Sequence, residues 1–381
     1  MKPQAIFISC ILLAAVCADI LQNPDFELPP STWNTTSAFF TLNSSSTNLP
    51  GWTFEGTVQY ATAGDDLSLP ENGHAMLLGQ DGKINQTFTA NNEGRMRYLL
   101  TFTLSRRALN CSANASLVIP APDSSAEFTL SGKYGRELWE DYGHQIGSWG
   151  DGEAVNLVIE SRADNEDESS TCWPVVDDLN LVTVGLVNQE NGNLLLNGGS
   201  EVGPRFPKFP NNGILLNSEP SLTESALPQW IVTGTIKYIE TKNYHVPLGN
   251  AAVQFVLGTS SDIQTAQELS RETNYNLEFS LGEANQSCSG DFTVGVVAGS
   301  SSQNFTIHSN GNGLAQKYSL DFQGAGAGPT PIGFESYSTG LGKDGVFCGP
   351  VIDGVVLRVS GECKLNGCLF VILLFWPLWR L

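Results

Sequence analysis

Apolar positions along this 381-residue chain recur every second residue, not every three or four. TVQYATA, YLLTFTLS, AVNLVIES and YNLEFSLG alternate, while LNLVTVGLV and FTVGVVAG run short and β-branched. Gly, Pro, Asn and Asp separate the runs, which is the punctuation of strands and turns. The pattern predicts many short antiparallel strands. Only SDIQTAQELSRET (Ser261–Thr273) carries a helical pattern, and the matching stretch DGKINQTFTANNEG does not repeat it.

The pattern is written twice. LPGWTFEGTVQY (Leu49–Tyr60) and LPQWIVTGTIKY (Leu227–Tyr238) share Leu, Pro, Trp, Gly, Thr and Tyr at the same places. Trp52 and Trp230 are 178 apart, Cys111 and Cys288 177, and Cys172 and Cys348 176. So constant an offset marks a tandem duplication. The expected organisation is one β-sandwich over 19–185 and a second over 186–359, joined through the polar VGLVNQENGN. Trp52 and Trp230 are expected inside their sandwiches.

The two ends read differently. Residues 1–18 hold Lys2, an apolar run and Val16-Cys17-Ala18, the layout of a signal peptide cleaved after Ala18. Seven Asn-x-Ser/Thr sequons agree with secretion: Asn34, Asn43, Asn85, Asn110, Asn114, Asn285 and Asn304. Residues 360–381 join a short polar spacer to an apolar stretch below the ~20 residues of a membrane span. That pattern resembles the signal for a glycolipid (GPI) anchor.

Once Cys10 and Cys17 leave with the leader, each copy keeps one cysteine pair at the same place. One disulfide per domain follows, Cys111–Cys172 and Cys288–Cys348. A net charge of -20 disfavours nucleic acid and anionic membranes as partners. Neutral sugars, calcium and basic proteins remain.

The chain lacks H-E-x-x-H, C-x-x-C and G-x-S-x-G, and its four histidines match poorly between copies. ELWEDYGHQIGSWGDGE sets Glu137, Glu140, Asp141, Asp151 and Glu153 among aromatics, a candidate sugar-contact loop and the only candidate for a glycosidase dyad. The aromatics expected to stack on sugar are Trp139, Tyr142 and Trp149 in the first copy, with Tyr244 and Tyr337 in the second. Acidic residues at the start and end of each copy also repeat, Glu27 with Asp177 and Glu201 with Asp353. If first and last strands are neighbours, each pair offers hard oxygens to a structural calcium; otherwise the carboxylates cap backbone N–H groups.

NPDFELPP, LPENGHAMLLGQDGKINQTF, CWPVVDDLNL, NLLLNGGSEVGP, VPLGNAAVQFVLG and CGPVIDGVVL, with the two Trp motifs, closely resemble the plant cell-wall family called domain of unknown function 642. The resemblance covers residues 21 to about 358. It implies an all-β chain of two tandem galactose-binding-like jelly-roll sandwiches. It also implies a non-enzymatic extracellular protein that associates with wall polysaccharides of the cellulose, hemicellulose and pectin class and with pectin methylesterase. More loosely, each copy is similar to carbohydrate-binding modules whose N-G-x-x-E and D-x-V-x-L strands hold a structural calcium. By position those ligands are Glu27, Asp177, Glu201 and Asp353, with Asn23-Pro24 departing from the usual Asn-Gly. The alternative expectation is a protein-interaction scaffold that binds no sugar itself.

Overall fold

The computed structural model describes residues 20–33, 37–43, 48–65, 67–70, 73–106, 115–120, 125–130, 138–162, 173–189, 192–208, 213–218, 221–222, 224–258, 260–326 and 328–360, with backbone alone at 106 and 115–117. The expected signal peptide, all of the tail beyond residue 360, Asn34, Asn110, Asn114, Cys111, Cys172 and Glu137 lie outside the described residues.

The described residues form 24 strands and no helix. The first copy contributes β1 (Phe39–Thr41), β2 (Thr53–Glu55), β3 (Val58–Thr62), β4 (His74–Leu78), β5 (Lys83–Thr89), β6 (Met96–Arg106), β7 (Ala115–Pro120), β8 (Ser125–Leu130), β9 (Trp139–Trp149), β10 (Ala154–Ser161) and β11 (Pro174–Val184). The second contributes β12 (Ile214–Leu216), β13 (Ile231–Thr233), β14 (Ile236–Glu240), β15 (Ala251–Phe255), β16 (Asp262–Gln267), β17 (Asn274–Glu283), β18 (Ser289–Ala298), β19 (Ser301–Asn310), β20 (Ala315–Gln323), β21 (Thr330–Ser336), β22 (Gly340–Leu341), β23 (Phe347–Cys348) and β24 (Pro350–Val359).

Each copy is a jelly-roll sandwich of two sheets with one strand order. In the first, β1-β3-β4-β11-β6-β9 faces β2-β5-β10-β7-β8; in the second, β12-β14-β15-β24-β17-β20 faces β13-β16-β21-β18-β19. The alternation builds this directly. In β8 every second residue of SAEFTL is buried, and β19 buries Phe305, Ile307 and Ser309. The inward residues form two cores, one around Trp52, Tyr60 and Phe102, the other around Trp230, Tyr238 and Phe279. The helical pattern at Ser261–Thr273 is instead strand β16, because Asp262–Gln267 pairs along its length with β21 and lays Ile263 in the core.

The two copies share a sheet. β9 pairs in parallel with β12, so the two six-stranded sheets run on as one of twelve. β12 divides its side chains: Leu215 enters the first core, and Ile214 and Leu216 the second. Gly143 permits the approach, since a Cβ there would stand 2.9 Å from Pro204 and 3.0 Å from Ile214. The expected sugar-contact loop is therefore strand β9. Its Glu140 and Asp141 are buried, and Lys237 of β14, also buried, attracts both across the junction. Desolvation still wins at each end: burial raises Asp141 to about 7 and lowers Lys237 to about 8.

In the second copy Cys288 and Cys348 form a disulfide that ties the start of β18 to β23 and closes a 60-residue separation.

Candidate functional site

The duplicated Asn and Trp motifs build one device in each copy. Asn23 Nδ2 donates to the carbonyls of Leu28 and Pro50, and its Oδ1 accepts from Leu28 N–H. Asn197 does the same with Val202 and Pro228. The indole N–H of Trp52 donates to Asn23 O at 3.1 Å, and that of Trp230 to Asn197 O at 3.1 Å. Tyr60 Oη donates to Phe26 O and Tyr238 Oη to Ser200 O, each at 2.8 Å. Left-handed residues in each opening turn aim these carbonyls inward, Asn23 and Phe26 in one, Asn197 and Ser200 in the other. Both Trp rings are buried, so they lock the turn and present no face to a ligand.

Beside each lock sits the acidic pair. Glu201 Oε1 accepts Asn250 N–H at 2.8 Å and its Oε2 accepts Asn250 Nδ2 at 3.2 Å. Glu27 accepts His74 N–H at 2.7 Å and meets His74 Nδ1 at 3.0 Å. The column partner of His74 is thus Asn250. Asp353 is buried and accepts the N–H groups of Leu248 and Gly354. Burial, with some repulsion from Glu201, pushes it up to about 7 despite those donors. Asp177 is raised well above its ordinary value, mainly by burial, then by Asp178, with smaller contributions from Glu27 and Asp25.

Each carboxylate pair therefore senses its partner, and both members take backbone N–H groups. Among the described residues no group of three or more His, Cys, Asp or Glu converges. The donor set is all oxygen and the charges repel, which fits a hard cation whose shell is completed by carbonyls and water. In each copy a side-chain nitrogen already meets one glutamate oxygen, His74 Nδ1 on Glu27 and Asn250 Nδ2 on Glu201.

Gly249 is integral to this arrangement. Its φ is +67°, and a Cβ would lie 1.8 Å from Glu201 Oε1. Gly249→Ala is expected to cost about 1–3 kcal/mol, from left-handed strain and the displaced carboxylate. Chemical denaturation of the variant checks this.

Three of the expected sugar-stacking aromatics are core residues. Trp139, Tyr142 and Trp149 are 6, 7 and 6 % exposed. Tyr142 stacks on Phe102 at 5.7 Å, and Trp149 packs edge-on to Tyr98 at 5.2 Å. Tyr244 is half-buried against a small cluster containing Ile239 and Val351. Tyr337 is 46 % exposed; its ring crosses Gly295 and its hydroxyl donates to Glu335. Of the described sequons, Asn43 and Asn304 are exposed and Asn85 and Asn285 half-buried.

A site that the motifs miss lies at the end of the first sandwich. Ile20, Gln22, Gln86–Thr89, Asn91, Tyr98 and Thr183 line a groove of about 510 Å³. Phe88 and Tyr98, their rings 5.5 Å apart, are its buried floor. Gln22, Thr87, Thr89 and Asn91 stand exposed around it. Gln22 N–H donates to Gln86 Oε1 at 2.6 Å, and Gln86 Nε2 returns a bond to Gln22 O at 2.9 Å, which fixes the leading segment against β5. No Lys, Arg, Asp or Glu lines the groove. In the second copy Gln267 stands where the first has Phe88, so the floor is not duplicated. The one sequence signal is the row of neutral polar residues in KINQTFTANN.

The tandem sandwich with its paired locks defines a two-module β protein. The profile described as "Protein of unknown function (DUF642)" matches residues 19–182 and 193–358, and the chain belongs to that family. It is 29 % identical over 351 residues to Protein TEEBE of Arabidopsis thaliana, covering 90 % of this chain and 91 % of that protein. It is 28 % identical to Protein DUF642 L-GALACTONO-1,4-LACTONE-RESPONSIVE GENE 1 of Arabidopsis thaliana, covering 93 % and 95 %.

Among solved structures, the CBM22-1–CBM22-2 tandem of Paenibacillus barcinonensis Xyn10C aligns with 86 % of this chain and 100 % of its own, at 10 % identity and TM-score 0.26. TmCBM61, solved with β-1,4-galactotriose, aligns with 45 % of this chain and 100 % of its own, at 18 % identity and TM-score 0.29. At such TM-scores neither likeness supports an argument about the fold or the ligand.

Proposed function

We propose that the chain is a non-catalytic extracellular protein that binds neutral polysaccharide of the plant cell wall. The observation carrying this reading is the uncharged groove of about 510 Å³, whose exposed rim presents the hydroxyl and amide groups of Gln22, Thr87, Thr89 and Asn91. Sugars ask for such a lining, because their hydroxyls exchange hydrogen bonds with neutral donors and acceptors. The leader and the sequons of the sequence support passage to the cell exterior, and the apolar tail supports a glycolipid anchor.

Affinity electrophoresis of the mature chain in gels containing cellulose-derived, hemicellulose and galactan polymers tests the reading. Retardation by at least one neutral polymer, reduced roughly tenfold in Gln86→Ala or Asn91→Ala, is the expected result. Unchanged mobility in every gel contradicts it.

Calcium completes the Glu201–Asp353 and Glu27–Asp177 pairs in this reading. Asp141 and Asp353 hold their protons up to about 7 when folded, against 3.8 ordinarily. The folded chain therefore binds more protons than the unfolded chain in that window, and stability falls as pH rises from about 4 through about 7. Denaturant unfolding at pH 5 and pH 8 checks the direction. Calcium is expected to remove the part due to Asp353, and Asp353→Asn to remove it without calcium.

The net charge of -20 favours a second reading, in which the chain engages a basic wall enzyme such as a pectin methylesterase. Association that weakens steeply between low and physiological salt is then expected.

A further inference from the structure

A second cleft, of about 240 Å³, lies where the start of β6 meets the second copy. Its walls include Arg95, Arg97, Ser148, Leu186 and Gln229. On a chain of net charge -20, this cleft is lined by two arginines and by no carboxylate. Arg97 sits in mid-sheet, in register with Ser148 on β9 and Val184 on β11. Its Nη1 is buried and has no hydrogen-bond partner. Arg95 lies 3.7 Å from Glu153, both side chains being largely exposed. A buried guanidinium N–H without an acceptor is costly to keep unless an anion completes it.

The opposite wall carries an independent sign. Gln229 adopts φ +75°, a conformation that L side chains rarely take. Its column partner in the first copy is Gly51, which takes φ +81° without strain. The second copy thus keeps an amide side chain at a glycine position, and that position faces the arginine cleft. Strain retained at a cleft points to a ligand.

We infer that this cleft binds the carboxylate of an acidic sugar, a hexuronate unit within a polysaccharide. The Arg97 guanidinium pairs with the carboxylate, with Arg95 adding charge. Gln229 and Ser148 meet ring hydroxyls, which a carboxylate-bearing peptide would not supply. The inference rests on the carbohydrate reading, and extends it from neutral to acidic chains at a separate site.

Calorimetric titration of the mature chain tests it with four probes: a galacturonic acid trimer, its methyl ester, a hexaglutamate peptide and a cellulose-derived hexamer. The acid trimer is expected to bind about ten- to a hundredfold more tightly than its ester, and Arg97→Met to lose the same factor. Gln229→Gly should weaken the trimer a few-fold while raising the melting temperature, since the strain disappears. Arg97→Met should melt no lower than the wild type, because it removes a half-buried guanidinium whose Nη1 has no hydrogen-bond partner. A lower melting point would make Arg97 structural and overturn the assignment. Equal binding of trimer and ester, trimer binding untouched in Arg97→Met, or hexaglutamate matching the trimer would each overturn it too. If the neutral hexamer binds and the acid trimer does not, this inference alone fails. If neither binds, the carbohydrate reading fails with it.

Discussion

Lys237→Ala is expected to destabilise the chain by about 3–5 kcal/mol. Lys237 lies on β14 in the second copy, and the acids it faces, Glu140 and Asp141, lie on β9 in the first. All three are at most 4 % exposed. Thr103 Oγ1 donates to Asp141 at 2.6 Å and Tyr142 Oη to Glu140 at 2.7 Å, so the carboxylates remain fixed when the cation goes. Two like charges are then left in a dry junction. They can escape only by taking up protons, so the loss should be larger at pH 8 than at pH 5. Denaturant unfolding at both pH values measures it. Faster proteolysis within 184–193 would show that the copies separate first. A loss under about 1 kcal/mol would mean that the junction does not depend on this charge cluster.

Cys288→Ser should cost about 4 kcal/mol, second only to the junction. Cys288 and Cys348 are 0 and 3 % exposed, and their bond closes a 60-residue separation. A cross-link of that span lowers the unfolded chain's entropy by about that amount in the chain-entropy model. The loss should fall on the second sandwich, whose core includes both cysteines. Two-stage unfolding, with the second copy melting first, is the expected signature. A single unshifted transition would contradict it.

The sequence reveals the fold far better than the site. Strand alternation and the near-constant offset are legible because the residues that recur at it, Asn23 with Asn197 and Trp52 with Trp230, satisfy the same turn carbonyls and indoles in each copy. Nothing in that geometry depends on partners far along the chain that the motif does not already name. Trp139, Tyr142 and Trp149 mislead for a physical reason. Aromatic residues alternating with acids describe an exposed sugar loop and also a strand buried on both faces. β9 is the latter, and the acids on it need a cation that lies on another copy, at Lys237, where no local pattern announces it. The groove is hidden for the opposite reason. Its Gln, Thr and Asn residues are chemically ordinary, and only folding brings Gln22, Gln86, Tyr98 and Thr183 to one place. The arginine cleft is legible only through two exceptions, a guanidinium nitrogen without a hydrogen-bond partner and a glutamine in a glycine conformation.

A crystal structure of the mature chain soaked with a neutral β-linked oligosaccharide tests the central claim most directly. Sugar density within the groove, hydrogen-bonded to the rim at Gln22, Thr87, Thr89 or Asn91, is the predicted result. Density confined to another surface, or a groove left free of sugar at a saturating soak, would contradict it.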